Sequence, residues 1–342
     1  MTVKQIAMTG GKIALSIGVL YIVMKDMDLA AVWARLDGSA MVGLIIGVVL
    51  FLIQALGVAE RWRLVLSVHG EGIPLRAAWY NVMLGLFFNQ ALPSTIGGDA
   101  ARVWDARREN LTLTMAARTV LVDRIVGFVG LMAFCAVGLP YLYLKAEDPR
   151  VALGIFILIG GGLVVLAILL AFRHMPHKFR RGPIKVAVAL SDTSWRCMAT
   201  PGLTRKMLFY SVLPQIKDVL VLWVLIIAIG ADATLWQVAL IFPAVTFAAT
   251  IPISVGGWGL REGAMVLAFG LIAMPGEDAL AASLLFGLTT LVTGLIGGAV
   301  WVLSNPRRAR ALRDEGLGSE NVGNGFEATE SAGQQQPSQE KP

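Results

Sequence analysis

The segment Leu92-Pro93-Ser94-Thr95-Ile96-Gly97-Gly98-Asp99-Ala100-Ala101-Arg102 recurs 159 residues later as Ile251-Pro252-Ile253-Ser254-Val255-Gly256-Gly257-Trp258-Gly259-Leu260-Arg261. One register pairs Pro93 with Pro252, Thr95 with Ser254, Gly97-Gly98 with Gly256-Gly257, and Arg102 with Arg261. Chance similarity between apolar stretches would match leucine, valine and alanine; it would not match a helix breaker, a hydroxyl, two glycines and a cation together. The chain is internally duplicated. Broken hydrophobic segments at corresponding positions of two halves mark the binding site of membrane transporters.

The 342 residues are 56% hydrophobic and 15% charged, too little polar material to cover a soluble domain of this length. Apolar runs of spanning character are Lys12 to Met24, Met41 to Ala59, Ile125 to Leu144, Val151 to Phe172, Met207 to Ile229 and Ala279 to Leu303. Most approach the roughly 20 residues that cross about 30 Å of hydrocarbon. No small-residue cleavage site precedes Lys25-Asp26, so the first run is not read as a cleaved signal peptide. Two cysteines, Cys135 in a span and Cys197 in a basic stretch, give no disulfide framework, and three histidines leave little for a metal site. No cofactor is expected. The net charge of +6 is accounted for by basic loops and requires no nucleic-acid partner.

Between Arg173 and Lys206 eight lysines and arginines stand against Asp192 alone. The positive-inside rule places this loop in the cytoplasm, with both chain ends. The nearly neutral turns at Asp26 to Asp37, Lys145 to Arg150, Ala231 to Thr234 and Pro275 to Asp278 then fall outside. Residues 305–342, rich in Gly, Ser, Glu and Gln, cannot bury enough apolar surface to fold and are read as a disordered cytoplasmic tail. The stretch after the first motif, Asp99 to Arg108, is too charged to cross lipid and must turn back. The second copy continues as Ala264 to Met274, which could return or finish a crossing; symmetry favours return. The expected architecture is all-α. Residues 1–304 form a transmembrane domain of about six spans and two re-entrant hairpins, in inverted repeats around 41–145 and 206–303.

Irregular backbone at membrane depth leaves amide groups unpaired, so it survives only inside protein or beside a wet cavity. The two tips are therefore expected to face each other. Pro93 and Pro252 end the incoming helices, and the glycines permit positive φ and close backbone approach. Each outgoing half-helix then begins with exposed N–H groups and a positive dipole end, which suits an anion. Arg102 and Arg261 lie about one turn further on and could add a fork of donors. A second reading takes Pro-Gly-Gly as a tight turn, Asp99 as a helix N-cap and Arg102 as a snorkelling cation. It leaves unexplained the arginine kept by the second copy on the outer side. Lys217-Asp218 lies mid-span and is either functional or mutually neutralised. Asp123-Arg124 falls at the cytoplasmic border.

These residues carry a resemblance. Glu60-Arg61-Trp62-Arg63, the first motif, Asp123-Arg124-Ile125-Val126-Gly127, and the second motif extended to Glu262 are similar to the transmembrane, flippase-like domain of lysylphosphatidylglycerol synthases. The likeness covers roughly residues 5–304. It implies a domain associated with moving a modified phospholipid between leaflets, a domain also found in stand-alone bacterial membrane proteins mostly of unassigned substrate. No aminoacyl-transferase domain is present in this sequence, so lysyl transfer is not expected.

The expectation is a bacterial inner-membrane lipid transporter of flippase type, without soluble catalysis. Amides at Gly97, Gly98, Gly256 and Gly257 cradle phosphate, and Thr95 and Ser254 offer hydroxyls. Arg102 and Arg261 hold the anion, and Asp99 or Glu262 selects the head group. The partners expected are membrane lipids, anionic or modified, with a second copy or a lipid-synthesis enzyme as further candidates. Three rivals stand beside it: an ion-coupled carrier of a small solute, an enzyme or accessory subunit of polyprenyl- or hopanoid-lipid synthesis, and a scaffold whose basic loop holds anionic lipid.

Overall fold

A computed structural model describes residues 18, 21, 24, 25, 29–35, 37–92, 97–146, 149–176, 181–250 and 257–304. Pro93, Thr95, Pro252, Ser254 and Gly256, most of the first apolar run and the tail lie outside the described residues. Those described fold into α-helices and two short 3-10 turns, with no strand among them. The helices are α1 (Leu29–Ala34), α2 (Gly38–Ser67), α3 (Leu75–Ala91), α4 (Gly97–Asp105), α5 (Leu113–Lys145), α6 (Pro149–Ala171), α7 (Pro183–Ala199), α8 (Pro201–Ala228), α9 (Leu235–Thr250), α10 (Leu260–Gly270) and α11 (Gly276–Ser304).

Four helices, α2, α5, α8 and α11, are long and apolar enough to cross a membrane, at 30, 33, 28 and 29 residues. Each runs about 42–50 Å at 1.5 Å per residue. The 23 residues of α6 give about 34 Å, still above the roughly 30 Å of a hydrocarbon core, with no charge after Arg150. Its outward side chains, among them Leu153, Phe156, Val164 and Ile168, are exposed, as are Ile45, Val49 and Ile53 on α2. A continuous apolar exterior of this extent is what a lipid-facing surface presents. This is a polytopic membrane protein.

Nine residues in α4 and eleven in α10 give about 14 and 17 Å, half a bilayer at most. The first hairpin demonstrably returns: Arg102 lies beside Asn81 and Gly85, whereas Gly98 lies beside Gly85 and Asn89, so α4 runs back along α3. The second does likewise: α10 packs between α9 and α11, and Asp278 at the start of α11 pairs with Arg35, on the face where Ser39 meets the Ala228 carbonyl at the end of α8. The run Ala264 to Met274 therefore does not complete a crossing.

The duplication extends to the whole four-helix unit. Adding 159 to the bounds of α2, α3 and α5 lands within four residues of those of α8, α9 and α11. Helices α2 and α8 pack antiparallel: Gly43 meets Ala228, Gly47 meets Val221 and Gly57 meets Leu213. Gly297 on α11 sits against the Met83 carbonyl of α3, and Gly138 on α5, 159 residues earlier, sits against the Leu240 carbonyl of α9. A methyl group at either glycine would collide with that oxygen. Equivalent contacts between antiparallel equivalents define a pseudo-two-fold axis across the helices, which is an inverted repeat. The turns repeat too. Gly70 (φ +75°) and Gly230 (φ +71°) close α2 and α8 in the left-handed conformation, and the following amides return to Leu66 and Ile226.

Two elements stand outside the repeat. Helix α6 follows α5, and the basic stretch expected as a loop contains the amphipathic helix α7. Its buried face packs Cys197 with Val65, Val122, Val126 and Met207. It lies where α2 and α6 end and α5 and α8 begin. The first hairpin opens on this face of the bundle and the second on the opposite face.

Candidate functional site

The first half-helix is held by side chains that its neighbours supply. Asn81 on α3 donates to the Arg102 carbonyl at 2.8 Å and accepts from Arg102 Nε at 3.1 Å. Gly85 leaves room for the arginine stem, where a Cβ would stand 2.8 Å from Cδ. Gly98 donates its amide to Asn89 Oδ1 at 3.1 Å, and its missing side chain lets α4 approach the Gly85 carbonyl. Close approach, rather than a free amide, is what Gly98 supplies.

Below this contact lies a buried charge cluster. Asp123 on α5, 1% exposed, accepts from Arg61 Nε at 2.7 Å and from Arg102 Nη1 at 3.4 Å. Gly127, one turn on, makes space for the Arg61 guanidinium, whose Nη1 lies 2.8 Å from where a Cβ would be. Trp62 stands 5.2 Å from the Arg102 guanidinium and is fixed by donating Nε1–H to Thr119 at 3.2 Å. Asp99 pairs with Arg124 at 2.9 Å and lies 4.0 Å from Arg102. Three arginines thus meet two carboxylates, leaving one positive charge in excess. Arg102 is 5% exposed, yet its Nη2 has no hydrogen-bond partner among the described residues. A cleft of about 370 Å³, lined by Asp105 and Arg108 together with Trp62 and Asn81, two neighbours of Arg102, does not include Arg102 itself in its wall. A buried guanidinium with an unused donor can accept an anion.

The second half-helix has a different arrangement. Gly257 (φ +81°) and Gly259 (φ +84°) make the turn into α10, a conformation that side chains resist. Glu262, fully buried, reaches back with Oε2 to the Gly259 amide at 2.6 Å and with Oε1 to Arg261 Nη2, also at 2.6 Å. Ser283 on α11 donates to the same carboxylate at 3.2 Å. Trp258 stands 4.8 Å from the Arg261 guanidinium, and Gly287 gives that group its space. Lys217, buried on α8, is paired with Asp218 and lies 3.1 Å from the Phe51 ring centroid. Phe51 contacts Phe286 edge-on at 5.7 Å, and Phe286 lies 6.0 Å from Arg261. Aromatic rings thus link the mid-span cation to the second hairpin.

The expected border pair is divided: Asp123 serves Arg61 and Arg102, while Arg124 serves Asp99. No hydrogen bond or ion pair among the described residues joins Arg102 to Arg261. Each sits within its own repeat, α4 against α3 and α5, and α10 against α9 and α11. Sequence reasoning did not single out Arg61, Trp62, Asn81 or Ser283 as site residues. A signal existed for the first two, since Glu60-Arg61-Trp62-Arg63 puts charges at the end of a span, and for Asn81, an amide amid the apolar run that leads to the first motif.

A family model for the lysylphosphatidylglycerol synthase TM region matches residues 11–298. The chain belongs to that family. A UPF0104 membrane protein of Methanocaldococcus jannaschii is 21% identical over 329 residues, covering 87% of this chain and 96% of its own length. Another UPF0104 membrane protein, from Pyrococcus horikoshii, is 24% identical over 296 residues, covering 74% of this chain and 85% of its own. The family match spans both hairpins, the charge cluster at Asp123 and helix α7, so all belong to the shared domain.

Proposed function

We propose that this member of the lysylphosphatidylglycerol synthase TM region family moves a lipid with a phosphate-bearing head group between leaflets. One observation carries the reading: two half-length hairpins, opening on opposite faces of an inverted repeat, each place a buried arginine on the returning half-helix. A polar head group must leave water to cross, and buried guanidiniums lower that cost. The cluster at Arg61, Arg102 and Asp123, with its surplus positive charge and the unused Arg102 Nη2, receives the anion on one face. Arg261, already matched by Glu262, receives it on the other; Asp99 on the first face or Glu262 on the second discriminates among cationic and hydroxylated head groups. The basic stretch around α7 orients the Arg102 face toward the cytoplasm of a bacterial inner membrane.

The test is dithionite bleaching of fluorescently labelled phosphatidylglycerol in proteoliposomes. Arg102→Gln and Arg261→Gln are each expected to slow translocation at least about tenfold, the worth of one charge-assisted hydrogen bond. Arg→Lys should recover only part, because an ammonium loses the planar fork. Wild-type rates in both Gln variants would end the proposal. A second reading, an ion-coupled carrier, is favoured by Lys217-Asp218, buried between the Gly47–Val221 and Gly57–Leu213 contacts of the two repeats. In that case a proton or sodium gradient, rather than Arg102, controls flux.

A further inference from the structure

Helix α7 carries a second polar stripe that the hairpins do not use. Lys185, Ala189, Asp192 and Arg196 recur at i, i+4, i+7 and i+11, which places them on one face of the helix. This face, with Arg118 of α5 and His69 of the α2–α3 turn, lines a cleft of about 530 Å³. Thr193, nearly buried, donates to the Ala189 carbonyl at 2.9 Å and holds its oxygen 3.4 Å from His69 Nε2. Three cations face one acid there, and none of Arg118, Lys185 and Arg196 is ion-paired to a described residue. Charges left unmatched in a recess raise the local concentration of counter-ions.

The cleft is also rigidly mounted at the end of the spans. Ser191 accepts from the Arg173 amide at 3.0 Å and donates to the Leu170 carbonyl at 2.7 Å, tying α7 to the end of α6. Beside the stripe, Trp195 is exposed and stacked under the Arg173 guanidinium at 3.8 Å, and Val186 is exposed too. An outward tryptophan with its cation at the level where spans end is an interfacial anchor. His69 feels the same field: burial, then the charges of Arg118 and Arg196, hold its imidazole below the usual histidine range.

We infer that the cleft between α7 and the α2–α3 turn is a binding site for the phosphate of an anionic phospholipid, separate from the hairpin sites. Arg118 and Arg196 flank the phosphate, Thr193 supplies a hydroxyl and Lys185 adds charge at the rim. The acyl chains lie along the exposed apolar surface beside Val186 and Trp195. Asp192 opposes anions and limits the site to groups that both arginines can reach.

Native mass spectrometry of the delipidated full chain in detergent tests this with dioleoylphosphatidylglycerol and dioleoylphosphatidylcholine as probes. Affinity for phosphatidylglycerol is expected to fall about tenfold or more in the Arg118→Gln/Arg196→Gln double variant, whose substitutions lie at the surface. Lipid held at the hairpins cancels in the comparison with wild type. The Arg118→Lys/Arg196→Lys variant should keep most of the preference, which separates lost charge from lost fold. Inorganic phosphate added at millimolar concentration identifies the source. No competition supports a lipid head group anchored by its chains; full displacement assigns the cleft to free phosphate and overturns the lipid site. Equal phosphatidylglycerol retention by wild type and the Gln variant, or equal affinity for phosphatidylcholine in wild type, also overturns it. Translocation rates do not enter this measurement, so its failure leaves the hairpin proposal standing, and the converse holds.

Discussion

Asp123 is the residue whose removal should cost most, and the structure says how much. Its carboxylate is 1% exposed and accepts a short bond, 2.7 Å, from Arg61, which has no other ion-pair partner among the described residues. The contact to Arg102 is longer, at 3.4 Å, and Arg102 retains Asn81 and, at 4.0 Å, Asp99. The loss is therefore dominated by stranding Arg61. Breaking a buried pair from one side costs about 3–5 kcal/mol, and an asparagine that still offers an oxygen to Arg61 belongs at the lower end. Asp123→Asn should thus lower stability by about 3 kcal/mol, a change of about 150-fold in the unfolding equilibrium.

The pairwise term separates this from a generic packing defect. If the cost is a stranded guanidinium, Arg61→Gln in the Asp123→Asn background removes the stranded charge. The double variant should then be no worse than the Asp123→Asn single, with a coupling of about 2 kcal/mol. Reversible unfolding in mixed micelles, titrated with sodium dodecyl sulfate, reads both quantities. A loss below about 1 kcal/mol for Asp123→Asn together with additive effects would refute the reasoning, because it would mean that water already reaches the pair.

Further outcomes follow from particular contacts. Gly138→Val and Gly297→Val, which press on the equivalent carbonyls of Leu240 and Met83, should each destabilise by about 1–3 kcal/mol in the same assay. Gly161→Ala, with open space at its Cβ, should be neutral or stabilise by up to about 1 kcal/mol. His69 has a lowered pKa, with Arg118, Arg196 and Glu71 as its charged neighbours, so the unfolded chain binds the proton more readily. Melting temperature should hence be flat above pH 6.5 and fall as pH drops below it, and His69→Gln should flatten that slope. Lys145→Cys and Asp232→Cys should react with an impermeant maleimide from outside, and Lys185→Cys only after permeabilisation. Native Cys197 stays silent in that assay, because burial and then the charge of Asp123 push its thiol up to about 12.

The period of the duplication made the architecture legible. Proline, paired glycines and arginine at one spacing, with charged residues after the first copy, dictate half-helices, and loop charge dictates their inversion. What the sequence concealed is pairing across helices. Asp123 and Arg124 are neighbours in the chain, but successive helical residues point about 100° apart, so one carboxylate faces Arg61 and Arg102 while the other side chain faces Asp99. A basic stretch likewise reads as a loop until its i, i+4, i+7 stripe is weighed, because Gly182 and Pro183 interrupt the approach and charge dominates the segment that precedes them. The use of the Gly98 amide by Asn89 depends on a hairpin geometry that no spacing rule contains.

The two repeats have kept the arginine and changed everything that holds it. Shifting by 159 residues turns Arg61 into Leu220, Asn81 into Leu240 and Asp123 into Ala282. The first half-helix is consequently pinned to two other helices, α3 through Asn81 and α5 through Asp123. The second satisfies its arginine largely from within, since Glu262 is the next residue on α10, and Ser283 is the single hydrogen-bonding side chain from α11. Separating α4 from α5 strands buried charge, whereas separating α10 from α11 leaves the ion pair intact and forfeits one hydroxyl. Local opening should therefore be cheaper in the second hairpin, by the difference between about 3 kcal/mol for the divided ion pair and about 2 kcal/mol for the hydroxyl's bonds to charged groups. Hydrogen–deuterium exchange in micelles should show amides of α10 exchanging about fivefold faster than those of α4. Ser283→Ala should speed α10 further without touching α4, and Asp123→Asn should bring α4 to the rate of α10. Equal protection of the two half-helices in the wild type would show that backbone packing alone governs opening. The unequal partners of the two arginines would then have no bearing on which face moves first.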